Sequence, residues 1–153
     1  MPLHIINGDL TTMDTDAIVN AANSALQMGG GVCGAIFKAA GAKQLQAACN
    51  EIGHCDIGQA VMTPGYLLRA RYIIHTVGPV WRGGEHCEAE RLADCYRNAL
   101  QLAAKHKLSS IAFPLISAGI FRYPKEEAVH IATETIKTLL GRQDLTVYLV
   151  LFG

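Results

Sequence analysis

The chain has 153 residues, half of them apolar and 17% charged, and its 13 Lys plus Arg are balanced by 13 Asp plus Glu. That is enough for one globular domain with a buried core, residues 1–153, and too apolar for a disordered chain. With no net charge there is no basic field to hold a nucleic-acid backbone, which argues against general DNA or RNA binding. No apolar run reaches membrane-spanning length, and Met1-Pro2-Leu3-His4 lacks the layout of a signal peptide, so no membrane partner and a cytoplasmic location are expected. Five cysteines (Cys33, Cys49, Cys55, Cys87, Cys95) at irregular spacing argue against a disulfide framework. The adjacent pairs His54-Cys55 and His86-Cys87 are poor metal ligands, so no metal is expected.

In chain order, Leu3–Asn7 and Ala17–Asn20 read as short strands separated by a Gly8-Asp9 turn. Val32–Ala40 reads as a helix stopped by Gly41, and Lys43–Glu51 as a second helix stopped near Gly53. Gln59–Thr63 and Tyr72–Val77 are strands ended by Pro64-Gly65 and Gly78-Pro79. A loop with Trp81, Gly83 and Gly84 leads to a helix over Glu88–His106, with Leu92, Cys95, Tyr96, Ala99, Leu102 and Ala103 on its apolar face. Ile111–Leu115 is a strand. Pro124 opens a helix that runs to Gly141, with Ala128, Ile131, Ala132, Thr135 and Leu139 as its buried stripe. Leu145–Phe152 is a near-continuous apolar strand, as for one buried on both faces. The alternation predicts a three-layer α/β/α domain with a mixed, largely parallel central sheet. Ligands bind beyond the carboxyl ends of such strands, where Asn20–Cys33, Gly78–Gly84 and Ile116–Tyr123 can converge.

In the cluster Gly29-Gly30-Gly31-Val32-Cys33-Gly34, Gly29, Gly31 and Gly34 satisfy G-x-G-x-x-G and Gly29 to Gly34 has P-loop spacing, but both readings fail on context. Eight residues separate it from the strand ending at Asn20, unlike a dinucleotide fold, and Ala35-Ile36 stands where a P-loop needs Lys-Ser/Thr. Three glycines together still suggest close approach of a ligand to the backbone. Amides of Gly30–Cys33 at a helix start would face an anion, and the small residues Ser117-Ala118-Gly119-Ile120-Phe121 could wrap it from the other side without a basic side chain.

Taken with Gly8-Asp9-Leu10-Thr11, Ala17-Ile18-Val19-Asn20-Ala21-Ala22-Asn23, His75-Thr76-Val77-Gly78-Pro79 and Ala112–Phe121, these segments make the chain resemble the macro domain family over essentially its whole length, and its MacroD-type branch in particular. The resemblance implies binding of ADP-ribose or of ADP-ribosylated protein, by a monomer and with no cofactor. It also implies hydrolysis of O-acetyl-ADP-ribose or of ADP-ribosyl esters. Two alternatives are a non-catalytic ADP-ribose reader and an ADP-ribose 1″-phosphate phosphatase. By the same resemblance, Asp9 (with Leu10 beside it) receives the adenine amino group and Phe152 packs on the adenine ring. Gly30, Gly31, Val32 and the Ser117, Ala118, Gly119, Ile120, Phe121 loop hold the diphosphate, with Phe121 also lying against the distal ribose. Asn23 contacts that ribose and helps place the attacking water. Asn20 is expected to tie loops together, and His75 to be a satisfied structural group.

Two residues depart from the branch pattern. Cys33 stands where these hydrolases usually carry Asp, and Phe37 where His is common. A missing general base costs about 10²–10⁴ in rate. A helix N-terminus lowers a thiol pKa while a bound diphosphate raises it, so Cys33 reads equally as a catalytic group or as a small residue filling space. The route left open is substrate-assisted, with the diphosphate taking a proton from water. Arg122 also replaces a residue that is commonly small, and could meet a phosphate, a carboxylate or solvent.

Overall fold

The computed structural model describes residues 3–119, 121–140 and 144–151. Six strands, β1 (Leu3–Asn7), β2 (Ala17–Ala21), β3 (Ala60–Pro64), β4 (Tyr72–Thr76), β5 (Ser110–Pro114) and β6 (Thr146–Leu151), form one sheet in the order β1-β6-β5-β2-β4-β3. All neighbours run parallel except β3, which is antiparallel to β4. Four helices, α1 (Gly31–Ala40), α2 (Ala42–Ile52), α3 (Glu88–Lys105) and α4 (Lys125–Leu140), cover the sheet, and a 3₁₀ turn at Leu10–Thr12 follows β1. No described helix is long and apolar enough to cross a membrane.

Side-chain alternation along the strands sorts the core into two layers. Ala17, Val19, Ile74, Phe113 and Leu149 point to the face covered by α3 and α4. Ile18, Ile73, Ala112 and Val150 point to the face covered by α1 and α2. Both faces of the central strands are therefore largely apolar, which is why β6 reads as a near-continuous hydrophobic run. Phe37 is buried in the second layer, so it is a core side chain and does not stand beside the cavity.

Element boundaries differ from the sequence reading by one or two residues, as helix and strand ends do. The stripe of α4 differs in substance. Ala128, Ala132, Ile136 and Leu140 form its buried line, while Ile131, Thr135 and Leu139 are only half-buried flanks. Leu100 is buried on α3 and Leu102 half-buried. Both shifts have one cause. α3 and α4 pack against each other as well as on the sheet, so a second direction of contact selects the buried face. Gly141 and Phe152, the expected ends of α4 and β6, lie outside the described residues.

Tyr96 of α3 fixes the end of β5 from below. Its buried hydroxyl accepts from the amide of Ile116 at 3.1 Å and donates to the carbonyl of Pro114 at 3.4 Å. The loop that leaves β5 is thereby anchored before it reaches the site.

Candidate ligand site

A cavity of about 620 Å³ opens beyond the carboxyl ends of β1, β2, β5 and β6. Asp9, Leu10, Asn23, Gly30, Gly31, Val32, Cys33, Ser117, Ala118, Gly119 and Phe121 all line it, so residues from three separate segments meet at one place. Ile120 and Phe152 lie outside the described residues. A depression of similar size between α3 and α4 is a shallow surface groove with charged walls, far from the strand ends.

The first wall is the start of α1. Gly30 is its N-cap and supplies no side-chain hydrogen bond, so the first-turn amides are left for a ligand or water. The helix dipole adds positive potential there. Of the glycines, Gly31 sits at φ +57°, and Gly34 serves a different purpose from the expected ligand approach. A Cβ there would lie 2.4 Å from the Gly29 carbonyl oxygen, so it is the chain's own backbone that requires this glycine.

Asn23 closes the loop in front of α1 on itself. Its Oδ1 accepts from the amide of Gln27 at 2.9 Å, and its Nδ2 donates to the carbonyl of Gln27 at 2.8 Å. One N–H and one lone pair of the carboxamide remain for a ligand. From behind, Gln46 of α2 donates to the carbonyl of Leu26 and accepts from the amide of Met28. These α2 contacts escape the sequence reading because they span about twenty residues with no motif to mark them.

Cys33 is buried, with its sulfur 3.7 Å from both the Asn20 Nδ2 and the Gln27 carbonyl oxygen. The thiol thus donates to Gln27 and accepts from Asn20. Asn20, expected to tie loops together, instead ties strand to strand and strand to helix. Its Nδ2 lies 3.0 Å from His75 Nδ1, while His75 Nε2 lies 2.9 Å from Thr63 Oγ1. With Asn20 as donor, the neutral ring donates from Nε2 to Thr63, which donates in turn to the Pro64 carbonyl. Burial lowers the His75 pKa to about 4 and keeps the ring uncharged. His75 is thus the satisfied structural group that was expected.

The second wall is the loop after β5. Ser117 sits at φ +67°, with its Oγ buried and unpaired among the described residues. Its carbonyl accepts from the Tyr123 amide at 2.8 Å, and the Gly119 carbonyl accepts from the Arg122 amide at 3.0 Å. Arg122 is an exposed turn residue at φ +61° and does not line the cavity. Lys125, the first residue of α4, does line it. The expectation of a pocket without a basic side chain is therefore corrected at its rim, where the turn after Phe121 brings the start of α4 round to the cavity.

Asp9 stands at the opposite end. It caps the 3₁₀ turn, with Oδ1 accepting from the amide and the hydroxyl of Thr11 at 2.9 and 2.7 Å. It is the only carboxylate among the described residues that line the cavity. All five cysteines are free thiols, and no cluster of His, Cys, Asp or Glu able to hold a metal ion occurs among the described residues.

A largely parallel sheet with a glycine-walled cleft at its carboxyl edge, an uncapped helix start on one side and a small-residue loop on the other, defines an α/β protein built to hold an anionic ligand through its backbone. The comparisons with known proteins carry this to a family. The macro domain model matches residues 19–132, and a macro domain-containing protein of Chlorobaculum tepidum is 56% identical over 139 residues, covering 91% of this chain and 80% of that protein. The chain belongs to the macro domain family. A Salmonella newport protein named O-acetyl-ADP-ribose deacetylase is 52% identical over 147 residues, covering 94% of this chain and 82% of its own. Among solved structures, a variant of the Oceanobacillus iheyensis macrodomain with ADP-ribose superposes with a TM-score of 0.91 at 44% identity, covering 98% of this chain and 84% of that one. The Trypanosoma brucei macrodomain in complex with ADP-ribose gives 0.89 at 38% identity, over 98% of this chain and 63% of that one.

Proposed function

We propose that this chain binds ADP-ribose in the cleft and hydrolyses ADP-ribosyl esters by substrate-assisted attack of water. The observation that carries the reading is the pairing of two backbone walls, Gly30–Cys33 and Ser117–Phe121, across one cavity with Asp9 at its far end. A diphosphate between the walls accepts from the first-turn amides of α1. The adenine amino group then meets Asp9, whose Oδ2 is not used in the cap. The distal ribose lies towards Asn23 and Phe121.

In the reaction, water adds to the ester at the distal ribose and gives its proton to a diphosphate oxygen. The tetrahedral adduct then collapses with cleavage of the acyl C–O bond, and the proton held on the diphosphate passes to the departing ribose oxygen, leaving ADP-ribose and the free carboxylic acid. Asn23, held by Gln27, keeps one N–H and one lone pair with which to orient that water. Cys33 directs its proton to the Gln27 carbonyl, so its part is to brace the loop that carries Asn23 and to fill the space beside the phosphates. Catalysis then rests on positioning and on the substrate's own base.

Titration calorimetry with ADP-ribose tests the binding half of the proposal, and absence of heat at high micromolar ligand would sink it. Release of ADP-ribose from a mono-ADP-ribosylated acceptor tests the hydrolytic half. Binding without release would favour a reader, a reading supported by the lack of any described carboxylate at the Cys33 end of the cavity.

A further inference from the structure

Glu88 is the first residue of α3 and lies outside the cavity, yet it is among the most buried charged groups of the chain, with 1% of its surface exposed. Its Oε2 accepts from the amides of Arg82 and Gly84, both at 2.9 Å, and its Oε1 from the amide of His86. The loop that wraps it takes left-handed backbone at Gly83, Gly84 and Cys87 so that these amides converge. Burial works against the charge, but the backbone hydrogen bonds outweigh it and hold the carboxyl at about 2.

The wrapped loop in turn touches the second wall of the cavity. The amide of Trp81 donates to the carbonyl of Phe121 at 2.8 Å, and the Trp81 ring packs on Tyr123 at 4.8 Å between centroids. Gly84 lies under the same indole, where a Cβ would come within 3.0 Å of it. Just upstream, a Cβ on Gly78 would lie 2.2 Å from Ser117 Oγ, so the backbone approaches the wall closely there too. The wall's own internal hydrogen bonds join residues within the same turn, Tyr123 to Ser117 and Arg122 to Gly119. Tyr96 holds the start of this wall at Ile116, and the loop around Glu88 holds its far end at Phe121 and Tyr123.

We propose that Glu88 is a positioning residue for ligand binding: by gathering the amides of Arg82, Gly84 and His86 around its carboxylate it fixes Trp81, and through Trp81 the Phe121 wall. The effect on affinity rests on the ADP-ribose reading of the cleft, whereas the effect on the wall does not. Glu88→Gln, which keeps the shape but replaces one acceptor oxygen by an NH₂ group facing backbone amides, separates the two.

By residue-resolved hydrogen exchange on the ligand-free protein, the amides of Arg122 and Tyr123 are expected to exchange about tenfold faster in Glu88→Gln than in the wild type, with β2 and β5 amides unchanged. By calorimetry the same variant is expected to bind ADP-ribose about fivefold or more weakly. Trp81→Ala, which leaves Glu88 in place, should reproduce both effects, and it serves as the test if Glu88→Gln does not fold. Unchanged exchange at Arg122 and Tyr123 in a folded variant overturns the proposal. So does faster exchange with unchanged affinity. If the wild type itself fails to bind ADP-ribose, the reading of the cleft falls, and the exchange measurement alone decides whether Glu88 sets the wall.

Discussion

Asn20 and His75 are register partners on the adjacent parallel strands β2 and β4, and their side chains share a buried hydrogen bond of 3.0 Å between Nδ2 and Nδ1. The pair carries the part of the fold's pH dependence that falls between pH 6.5 and 4. Burial lowers the folded pKa of His75 from 6.5 to about 4, so between those values the unfolded chain binds a proton that the folded one refuses. The contribution of His75 is complete above pH 6.5 and is lost as the pH drops towards 4, by roughly 3 kcal/mol. Urea midpoints measured across that range should show the loss. Above the range where Glu88 and Asp16 take up protons in the unfolded chain, the limb should be missing in His75→Leu, whatever that variant's absolute stability; a limb that persists there would assign it to another group.

Replacing Cys33 with Asp exchanges a thiol that donates to the Gln27 carbonyl for a carboxylate that repels it. The expected outcome is a lower melting temperature together with faster ester hydrolysis at saturating substrate, at most the factor of about 10²–10⁴ that a general base supplies. An unchanged rate in a folded variant would show that the diphosphate is already a sufficient base here.

Gly34 and Gly119 make a contrasting pair. Gly34→Ala drives a methyl into the Gly29 carbonyl, and should destabilise the ligand-free protein by about 1–3 kcal/mol. Nothing lies within 4 Å of a Cβ on Gly119, so Gly119→Ala should leave the melting temperature unchanged and weaken only ADP-ribose binding. Calorimetry and thermal melting of the two variants, run side by side, test the assignment of one glycine to the fold and the other to the ligand.

Asp9→Ala removes both the cap of the 3₁₀ turn and the acidic group at that end of the cavity. Loss of the cap should cost about 1 kcal/mol of stability. ADP-ribose should lose affinity while ribose 5-phosphate does not. Equal loss for both ligands would refute the adenine contact.

The strands and the main site segments were legible because each is local: an apolar run, a glycine stop, a loop just past a strand end. Asp9, Asn23, the Gly30–Cys33 helix start and the Ser117–Phe121 loop declare themselves in this way. What sequence does not mark is contact between distant segments. Gln46 bracing Leu26 and Met28, Thr63 receiving His75, and Lys125 reaching the cavity rim depend on how layers pack. Gly34 illustrates the same limit. Its composition signal is real, but the close neighbour that requires it is the backbone of Gly29 rather than a ligand, a contact made only in the folded loop. The buried line of α4 could not be fixed either, since its period was readable but its phase depends on α3.

The strand order gives the cleft one more property. Among the described strands β1 is an outer one paired with β6 alone, and its carboxyl end contributes Gly8 and Asp9 to a cavity that also draws on the ends of β2, β5 and β6. A ligand spanning that cavity is a tie across the sheet, joining a lightly held edge to the strands at its centre. It should raise the melting temperature with concentration, by about 2.7 kcal/mol of stability at a hundred times its dissociation constant. The protection should be greatest at β1, making amide exchange along Leu3–Asn7 a direct gauge of occupancy.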